Sequence, residues 1–295
     1  MKIAFVGDVH GCVLHALGAA VALSRHRGIR LDAVIQVGDL GAFPSPDRWD
    51  DASRRFRVDH PAQGAFFDLL DPSPGLAEGV QLALANIPPI LFLSGNHEDH
   101  EWLADLHQTR AVPVTPVDPL GAYHHVACGH VTEVAGQRTA FLGKIELPGP
   151  TDYEDSAYNR LLHTEPGSVD ILVTHDGPYG MSTYRDTVQG SARLTRLIEH
   201  LRPRLHVGGH YHHENGPRRY GTTTSYALAQ LVPPKAHRRH PEPINPRQQV
   251  AAGSIGLLDT GTYDFEYIHD PWLTDVQGDH PDLTALIDAI PDAPS

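Results

Sequence analysis

The chain has 295 residues, of which 40% are hydrophobic and 20% charged, a composition typical of one large globular domain or two small ones. Its formal net charge of −13 argues against non-specific binding to nucleic acid or to an anionic membrane, although a local basic patch is compatible with it. Cys12 and Cys128 are too few for a disulfide framework, so we expect a reducing compartment.

The first predicted strand begins almost at the N-terminus. Lys2 leads directly into the apolar residues 3–6, a run too short for the core of a signal peptide. No apolar run of about 18 residues indicates a membrane span. We therefore expect a cytoplasmic protein with no membrane partner.

Polar side chains follow the first two predicted strands, residues 3–6 and 31–37, which a helix over 12–25 connects. Asp8 and His10 point to the same side because side chains of an extended segment alternate. The βαβ connection makes the two strands parallel and brings Asp39 to the same edge of the sheet. Two carboxylates at one edge repel each other unless a cation lies between them. The pattern predicts part of a divalent-metal site.

Residues 42–88 are predicted as an irregular insertion, punctuated by prolines and containing short helices at 66–70 and 76–85. Its first part is basic and carries Arg48, Arg54, Arg55 and Arg57. We interpret it either as a solvated surface insertion or as a lid whose arginines meet an anionic substrate.

A third apolar strand, residues 90–93, turns at Ser94-Gly95 into Asn96 and His97, and a helix is predicted over 99–108. The carboxyl end of a strand is where α/β sheets usually place ligands. Asn96 offers a neutral amide oxygen to a hard metal. His97 offers an imidazole that can donate a proton.

The pattern changes from residue 120. Strands at 123–126, 130–134 and 139–143 indicate an antiparallel meander in a second sheet, and 144–168 is predicted as a polar loop. A strand at 169–174 ends at His175. A helix over 190–201 and a strand over 205–209 lead to His210 and His212. Their spacing again directs two imidazoles the same way.

The remaining residues are predicted as a basic loop over 214–250, a closing hairpin of the second sheet over 253–258 and 262–268, and an acidic tail over 271–295 with a weak helix at 283–290. We assign residues 1–270 to one domain. The loop carries Arg218, Arg219, Lys235, Arg238, Arg239 and Arg247.

The order and contexts of these five polar strand ends resemble the calcineurin-like metallophosphoesterase family, from residue 1 to about 268. The resemblance implies an α/β fold, a four-layer α/β/β/α sandwich of two mixed β-sheets flanked by helices. It also implies a phosphate-ester substrate, with a nucleotide as one candidate.

The same resemblance implies two divalent metal ions. One set of ligands would be Asp8, His10, Asp39 and His212. The other would be Asp39, Asn96, His175 and His210, so that Asp39 bridges. Mixed carboxylate, amide and imidazole ligands suit Mn²⁺, Fe, Zn²⁺ or Ni²⁺, with Mn²⁺ favoured. A metal-bridging hydroxide would attack phosphorus in line, while Asn96 and His97 contact the phosphate and His97 protonates the leaving group.

The chain departs from the serine/threonine protein phosphatases after Asp39. The Asp that would orient the catalytic His and the Arg that would bind phosphate are both missing there. The partner of His97 is therefore not identified, and Glu98 and Asp99 are merely near it in sequence. There is also a partial likeness to the RNA lariat debranching branch, which often replaces the Asp of the first motif by Cys, whereas Asp8 is intact here.

Three functions fit these motifs. The first is a metal-dependent phosphodiesterase or phosphatase acting on a small molecule or nucleotide. The second is a nuclease-like phosphodiesterase that binds RNA or DNA through arginines of 48–57 or 218–239. The third is a non-catalytic scaffold, as in the retromer-subunit branch, against which the retained His97 and the full ligand set count. The substrate and the oligomeric state are not readable from the sequence.

Overall fold

Two β-sheets pack face to face with helices on both outer surfaces in the computed structural model, which describes residues 1–57, 60–147, 152–236 and 242–290, without the side chains of 56 and 57. This order of layers confirms the predicted four-layer α/β/β/α sandwich.

The first sheet contains the three strands whose ends carry Asp8, Asp39 and Asn96. Its strands are β1 (Lys2–Val6), β2 (Ala33–Gln36), β3 (Ile90–Phe92), β4 (Val114–Pro116), β5 (Tyr123–Val126), β14 (Ile255–Asp259) and β15 (Phe265–Tyr267). They lie in the order β15-β14-β1-β2-β3-β5-β4. β1, β2, β3 and β5 are parallel, as βαβ connections require.

The second sheet contains the strands that end at His175 and His210. Its strands are β6 (Val131–Val134), β7 (Gln137–Leu142), β8 (Ile171–Thr174), β11 (Leu205–Gly208), β12 (Asn215–Tyr220) and β13 (Thr223–Ala227). They lie in the order β12-β13-β11-β8-β7-β6. A separate two-stranded ribbon is formed by β9 (Ser182–Tyr184) and β10 (Thr187–Gln189).

The helices are α1 (Val13–His26), α2 (Asp51–Arg57), α3 (Ala65–Leu70), α4 (Pro74–Asn86), α5 (His100–Arg110), α6 (Asp155–Leu162), α7 (Ala192–Leu201) and α8 (Leu283–Ala289). Short 3₁₀ turns lie at Pro46–Arg48, Pro61–Gly64 and Pro271–Asp275. The predicted helices over 12–25, 99–108 and 190–201 correspond to α1, α5 and α7, with ends shifted by one or two residues.

Alternation along β1 shows how the layers are built. Ala4 and Val6 are buried against the helices of the first outer layer, which include α1, α4 and α8. Ile3 and Phe5 are buried in the core between the two sheets, which Phe141 and Val173 enter from the opposite side. The outer face of the second sheet packs on α6 and α7. Both faces of each central strand are thus apolar, and polar groups collect at the strand ends.

The sheet assignment of three predicted strands was wrong. β5 pairs with β3 in the first sheet, although the sequence pattern placed it in the second. The closing hairpin also belongs to the first sheet, because β14 pairs antiparallel with β1 over Lys2–Val6. Alternation of apolar residues defines a strand but not its partner, and these pairings join residues that are far apart in the chain.

Several segments predicted as loop are regular. Residues 42–88 contain the two predicted short helices, as α3 and α4, and also α2, which was not predicted, and 144–168 include α6. Residues 214–250 begin with the hairpin of β12 and β13, where β12 is an edge strand whose exposed polar residues give little hydrophobic signal. The weak helix predicted at 283–290 corresponds to α8, whose Leu283 and Ile287 are buried against α1 and α4.

Cys12 and Cys128 are free thiols. Within the described ranges, none of the helices has both the length and the apolar character needed to cross a membrane.

Candidate metal centre

The predicted ligands meet where strand ends of the two sheets converge. Asp8, Asp39 and Asn96 follow β1, β2 and β3 of the first sheet. His175 follows β8, and the turn after β11 carries His210 and His212 in the second sheet. Packing of the two sheets therefore brings together side chains that are up to 204 positions apart in the sequence, the interval from Asp8 to His212.

One group of four potential ligands is tightly clustered. Asp8, His10, Asp39 and His212 each offer a ligand atom, and these atoms all lie within 4.8 Å of one another. His212 Nε2 lies 3.1 Å from Asp8 Oδ2 and 3.1 Å from His10 Nε2. Asp8 and Asp39 are almost completely buried, at 0% and 1% exposed. Two buried carboxylates with two imidazoles form a donor set that suits a divalent transition metal.

A second group lies on the other side of Asp39. His175 Nε2 lies 3.3 Å from Asp39 Oδ2 and 3.2 Å from Asn96 Oδ1. The ring of His210 lies 5.2 Å from that of His175, centroid to centroid. Asp39 Oδ2 also lies 3.9 Å from His10 Nε2 in the first group. The same carboxylate oxygen therefore faces both groups.

The ring of His175 is oriented for ligation. Its Nδ1 lies 3.0 Å from the carbonyl oxygen of Val37. Because a carbonyl can only accept, Nδ1 carries the proton, and Nε2 is the atom that faces Asp39 and Asn96. Burial acts to lower the pKa of His175, but the charge of Asp39 and its hydrogen bond outweigh burial and raise that pKa to about 10. The negative charge beside Nε2 therefore favours a cation at this position.

Neighbouring groups keep the carboxylates of Asp8 and Asp39 ionised. Burial disfavours the ionised form of Asp8, but its hydrogen bond with His212 and the charge of His175 hold the pKa below the usual range. Burial also opposes ionisation of Asp39, and the neighbouring His175 lowers that pKa well below the ordinary value. Burial lowers the pKa of His10 to about 4, which leaves this imidazole neutral, the form that binds a metal.

The backbone holds these side chains in unusual conformations. Four of the seven predicted ligands have a positive φ: His10 at 47°, Asp39 at 55°, His210 at 69° and His212 at 60°. Such conformations are unfavourable for residues other than glycine and concentrate at functional sites. Gly95 allows the loop after β3 to approach Asp39, since a Cβ there would lie 2.1 Å from Asp39 Oδ1.

Hydrogen bonds to backbone amides fix the ligand-bearing loops relative to one another. Asp39 Oδ1 accepts from the amides of Asn96 and His97 at 2.7 and 2.8 Å. Glu98 is buried and accepts from the amides of Leu40 at 2.6 Å and Gly95 at 2.7 Å. Burial and the nearby charge of Asp39 raise the pKa of Glu98 to about 8. Glu98 therefore joins the second and third strand ends and does not contact His97 through its carboxylate.

A sequence profile of the calcineurin-like phosphoesterase family matches residues 1–214, which is most of the chain and the range in which the seven predicted ligands lie. The chain belongs to the calcineurin-like phosphoesterase family. The protein is thus a metallophosphoesterase by family, and its ligand cluster is consistent with the divalent metals on which that family depends.

Two individual proteins are also similar to this chain. The UPF0046 protein K07C11.7 of Caenorhabditis elegans is 32% identical over 66 residues, 22% of this chain and only 23% of that protein. The crystal structure of TT1561 of Thermus thermophilus superposes with a TM-score of 0.51 at 16% identity, covering 90% of this chain and 97% of that one. At this identity the structural similarity concerns the fold alone.

The partner of His97 comes from the segment after β2. His97 Nδ1 lies 2.8 Å from Asp50 Oδ2. The other oxygen, Asp50 Oδ1, accepts from the amide of Ser53 at 2.7 Å and so caps α2. Burial acts to lower the pKa of His97, but Asp50 and Asp39 outweigh it and raise that pKa to about 9. Sequence reasoning missed Asp50, although an aspartate directly before a helix is a capping signal.

The arginines expected to meet an anionic substrate have other partners. Arg48 forms a two-pronged ion pair with Asp99, with Nη2 2.7 Å from Asp99 Oδ1. Arg54 donates to the carbonyl of Trp49 at 3.1 Å, and Arg218 to Asn215 Oδ1 at 3.0 Å. The side chains of Arg57, Arg238 and Arg239 lie outside the described residues. Arg48 therefore stabilises the start of α5 and does not replace the arginine of the protein phosphatases.

Proposed function

We propose that the protein is a binuclear metal-dependent phosphodiesterase that acts on a small molecule or a nucleotide. The observation that carries this proposal is the position of Asp39 Oδ2, which faces both ligand groups while His97 lies beside them with an acidic partner. The first ion would be held by Asp8, His10, Asp39 and His212, and the second by Asp39, Asn96, His175 and His210.

The donor set indicates which metals these would be. Carboxylate, amide and imidazole ligands fit Mn²⁺, Fe, Zn²⁺ or Ni²⁺, and the absence of thiolate ligands in the set leads us to favour Mn²⁺. Two such ions supply an activated water and neutralise the charge that develops on the phosphoryl oxygens. The protein orients the ligands through Val37, which fixes His175, and through Glu98, which fixes two of the loops.

His97 acts as the general acid in this proposal. Asp50 holds Nδ1, so the proton on Nε2 is the one available for transfer to the leaving alkoxide. His97 also lines the cavity beside His10 and His212, where an ester bound at the metal site would place its leaving group. Asn96 and His97 would contact the phosphate. No covalent intermediate is required.

A diester suits this site better than a monoester. Among the described residues that line the cavity there is no lysine or arginine, and Arg48 is paired with Asp99. A terminal phosphate dianion would therefore lack the fixed cation that protein phosphatases supply. A diester carries one charge less, and its poorer natural leaving group makes use of an acid such as His97.

The test is a comparison of matched p-nitrophenyl monoesters and diesters with the Mn²⁺-reconstituted protein. We expect a higher kcat/KM for the diester and about two metals per chain by elemental analysis. A clear monoester preference would refute the phosphodiesterase assignment. A stoichiometry that stays at one after reconstitution would refute the binuclear one.

Salt dependence distinguishes small esters from nucleic acid. A protein that neutralises several backbone phosphates loses affinity steeply as salt rises. The net charge of −13 and the paired state of Arg48 lead us to expect a shallow dependence. Turnover of short RNA with a steep salt slope would favour the nuclease-like alternative, and no turnover of any ester would favour a scaffold.

A further inference from the structure

A cavity of about 280 Å³ opens next to the predicted general acid. His97, His10 and His212 form its inner side. The proton of His97 Nε2 goes to the leaving group, so this cavity is where the leaving group of a bound ester lies. Its size is at the small end of the range for ligand sites, roughly 300 Å³ and upward, which suits one compact group and not an oligomer.

One wall of the cavity is aromatic and is built by the segment after β2. Phe43 and Trp49 line it and are 1% and 7% exposed. Trp49 packs against Phe67 with ring centroids 5.0 Å apart, which holds the indole in place. Pro234 lines the cavity as well. Rigid apolar surfaces of this kind favour a flat, apolar group.

Two carboxamides add polarity without charge. Gln63 and Gln230 line the cavity, and Gln230 is only 7% exposed. Within the described part of the chain, neither side-chain amide has a hydrogen-bond partner in the protein. Each carboxamide offers both donors and an acceptor to a molecule that enters the cavity. These groups therefore point to hydrogen-bonding atoms on a ligand.

We propose that this cavity binds the leaving group of the substrate and selects an uncharged one, with a flat apolar body and a polar edge that pairs with Gln63 and Gln230. The aromatic wall and the carboxamides carry the inference, and no lysine, arginine, aspartate or glutamate lines the cavity among the described residues. The inference rests on the proposed function, because the role of His97 identifies the cavity as the leaving-group side.

The first experiment varies the charge of the leaving group. We compare methyl p-nitrophenyl phosphate with its analogue that carries a carboxylate on the ring, using the Mn²⁺-reconstituted protein. We expect at least a tenfold higher kcat/KM for the ester whose aryl group carries no carboxylate. Equal values, or a preference for the carboxylated ester, would overturn the proposal.

The second experiment varies the cavity. Trp49→Ala and Gln230→Leu should each lower kcat/KM for methyl p-nitrophenyl phosphate at least tenfold, with inhibition by inorganic phosphate unchanged. Trp49→Phe should retain most of the activity. Tyr184→Ala is the control, since Tyr184 is an aromatic residue of the β9–β10 ribbon that is 57% exposed and outside the cavity. Variants of Trp49 and Gln230 that behave like the control would overturn the proposal.

A binding measurement tests the cavity independently of turnover. By equilibrium dialysis, the uncharged probe p-nitrobenzyl alcohol should bind the wild type at least tenfold more tightly than Trp49→Ala or Gln230→Leu. Equal binding would refute the cavity assignment even if the ester is hydrolysed. If the probe shows the expected binding difference but the protein hydrolyses no ester with metal, the proposed function is refuted and the binding site is supported.

Discussion

Asp39 is the residue that links the two ligand groups, and its replacement should affect both ions. In Asp39→Asn, we expect bound metal to fall from about two ions per chain to well below one, because a carboxylate that serves both sites is lost. His212→Ala removes a ligand from one group only and should leave about one ion. Elemental analysis after reconstitution measures both. Equal losses in the two variants would contradict a bridging role.

His97 is predicted to act on the leaving group and not on the metals. His97→Ala should keep the metal content and reduce turnover by about 10²–10⁴, the usual contribution of a positioned general acid. The loss should be smaller for p-nitrophenolate esters than for alkyl esters, since a good leaving group needs little protonation. If the variant loses metal instead, His97 is a ligand.

Asp50 is expected to act through His97. Asp50→Asn keeps a capping oxygen for Ser53 but removes the charge beside His97, so turnover should fall by about 10–100-fold with metal content unchanged. Asp51→Asn, on an exposed neighbour, is the matched control. In a His97→Ala background Asp50→Asn should have no further effect. Additive losses would show that Asp50 acts independently of His97.

At this scale the sequence predicted well where a residue follows a strand and poorly elsewhere. Asp8, Asp39 and His175 follow apolar runs, and the geometry of parallel strands brings such ends together. Asp50 follows no strand and reaches His97 from 47 positions away. Its local pattern predicts a helix cap, but nothing local indicates which side chain its second oxygen meets.

At the scale of elements, one buried histidine joins three strands of the second sheet. His206 of β11 contacts Thr174 Oγ1 of β8 at 2.8 Å and Ser225 Oγ of β13 at 2.6 Å. Thr174 donates its hydroxyl proton to the carbonyl of Asp176, so it accepts from His206 Nε2. Burial lowers the pKa of His206 to about 3, so the ring is neutral and its Nδ1 is left as an acceptor for the Ser225 hydroxyl.

This arrangement predicts a pH effect on stability. The unfolded chain binds a proton at His206 below about pH 6.5, while the folded chain does not until about pH 3, so the free energy of unfolding falls on acidification across that window. The slope contributed by one proton is about 1.4 kcal/mol per pH unit. His206→Gln should reduce the slope between pH 6 and 4 by that amount in urea titrations. An unchanged slope would contradict a neutral His206.

Elements with a local pattern were predicted, and their partners in the fold were not. The helix α1 and the strands β1, β2 and β3 have continuous apolar patterns. The weak helix predicted at 283–290 corresponds to α8, but its place in the fold depends on distant residues: Arg25 Nη1 donates to the carbonyl of Ile287 at 2.7 Å. The partner of β14 likewise follows from packing that no local window contains.

For the whole molecule, the metals should contribute to folding stability. Asp8 and Asp39 are both buried at the junction of the two sheets, and their charges repel each other without a cation between them. Ions present at about 100–1,000 times their dissociation constants stabilise a fold by about 3–4 kcal/mol. A chelator should therefore lower Tm by about 5 °C or more. An unchanged Tm, with metal loss verified, would contradict this coupling.

The segment after β2 serves two purposes at once. It carries Trp49, which lines the cavity, and directly after it Asp50, which contacts His97. A substitution that reshapes the cavity for another leaving group will therefore also displace the partner of the acid. Divergence of specificity through this segment should proceed by paired changes, whereas Gln230 and Pro234 come from a different part of the chain and can change without displacing Asp50. Directed evolution toward new esters should accordingly accumulate its first tolerated mutations around residue 230.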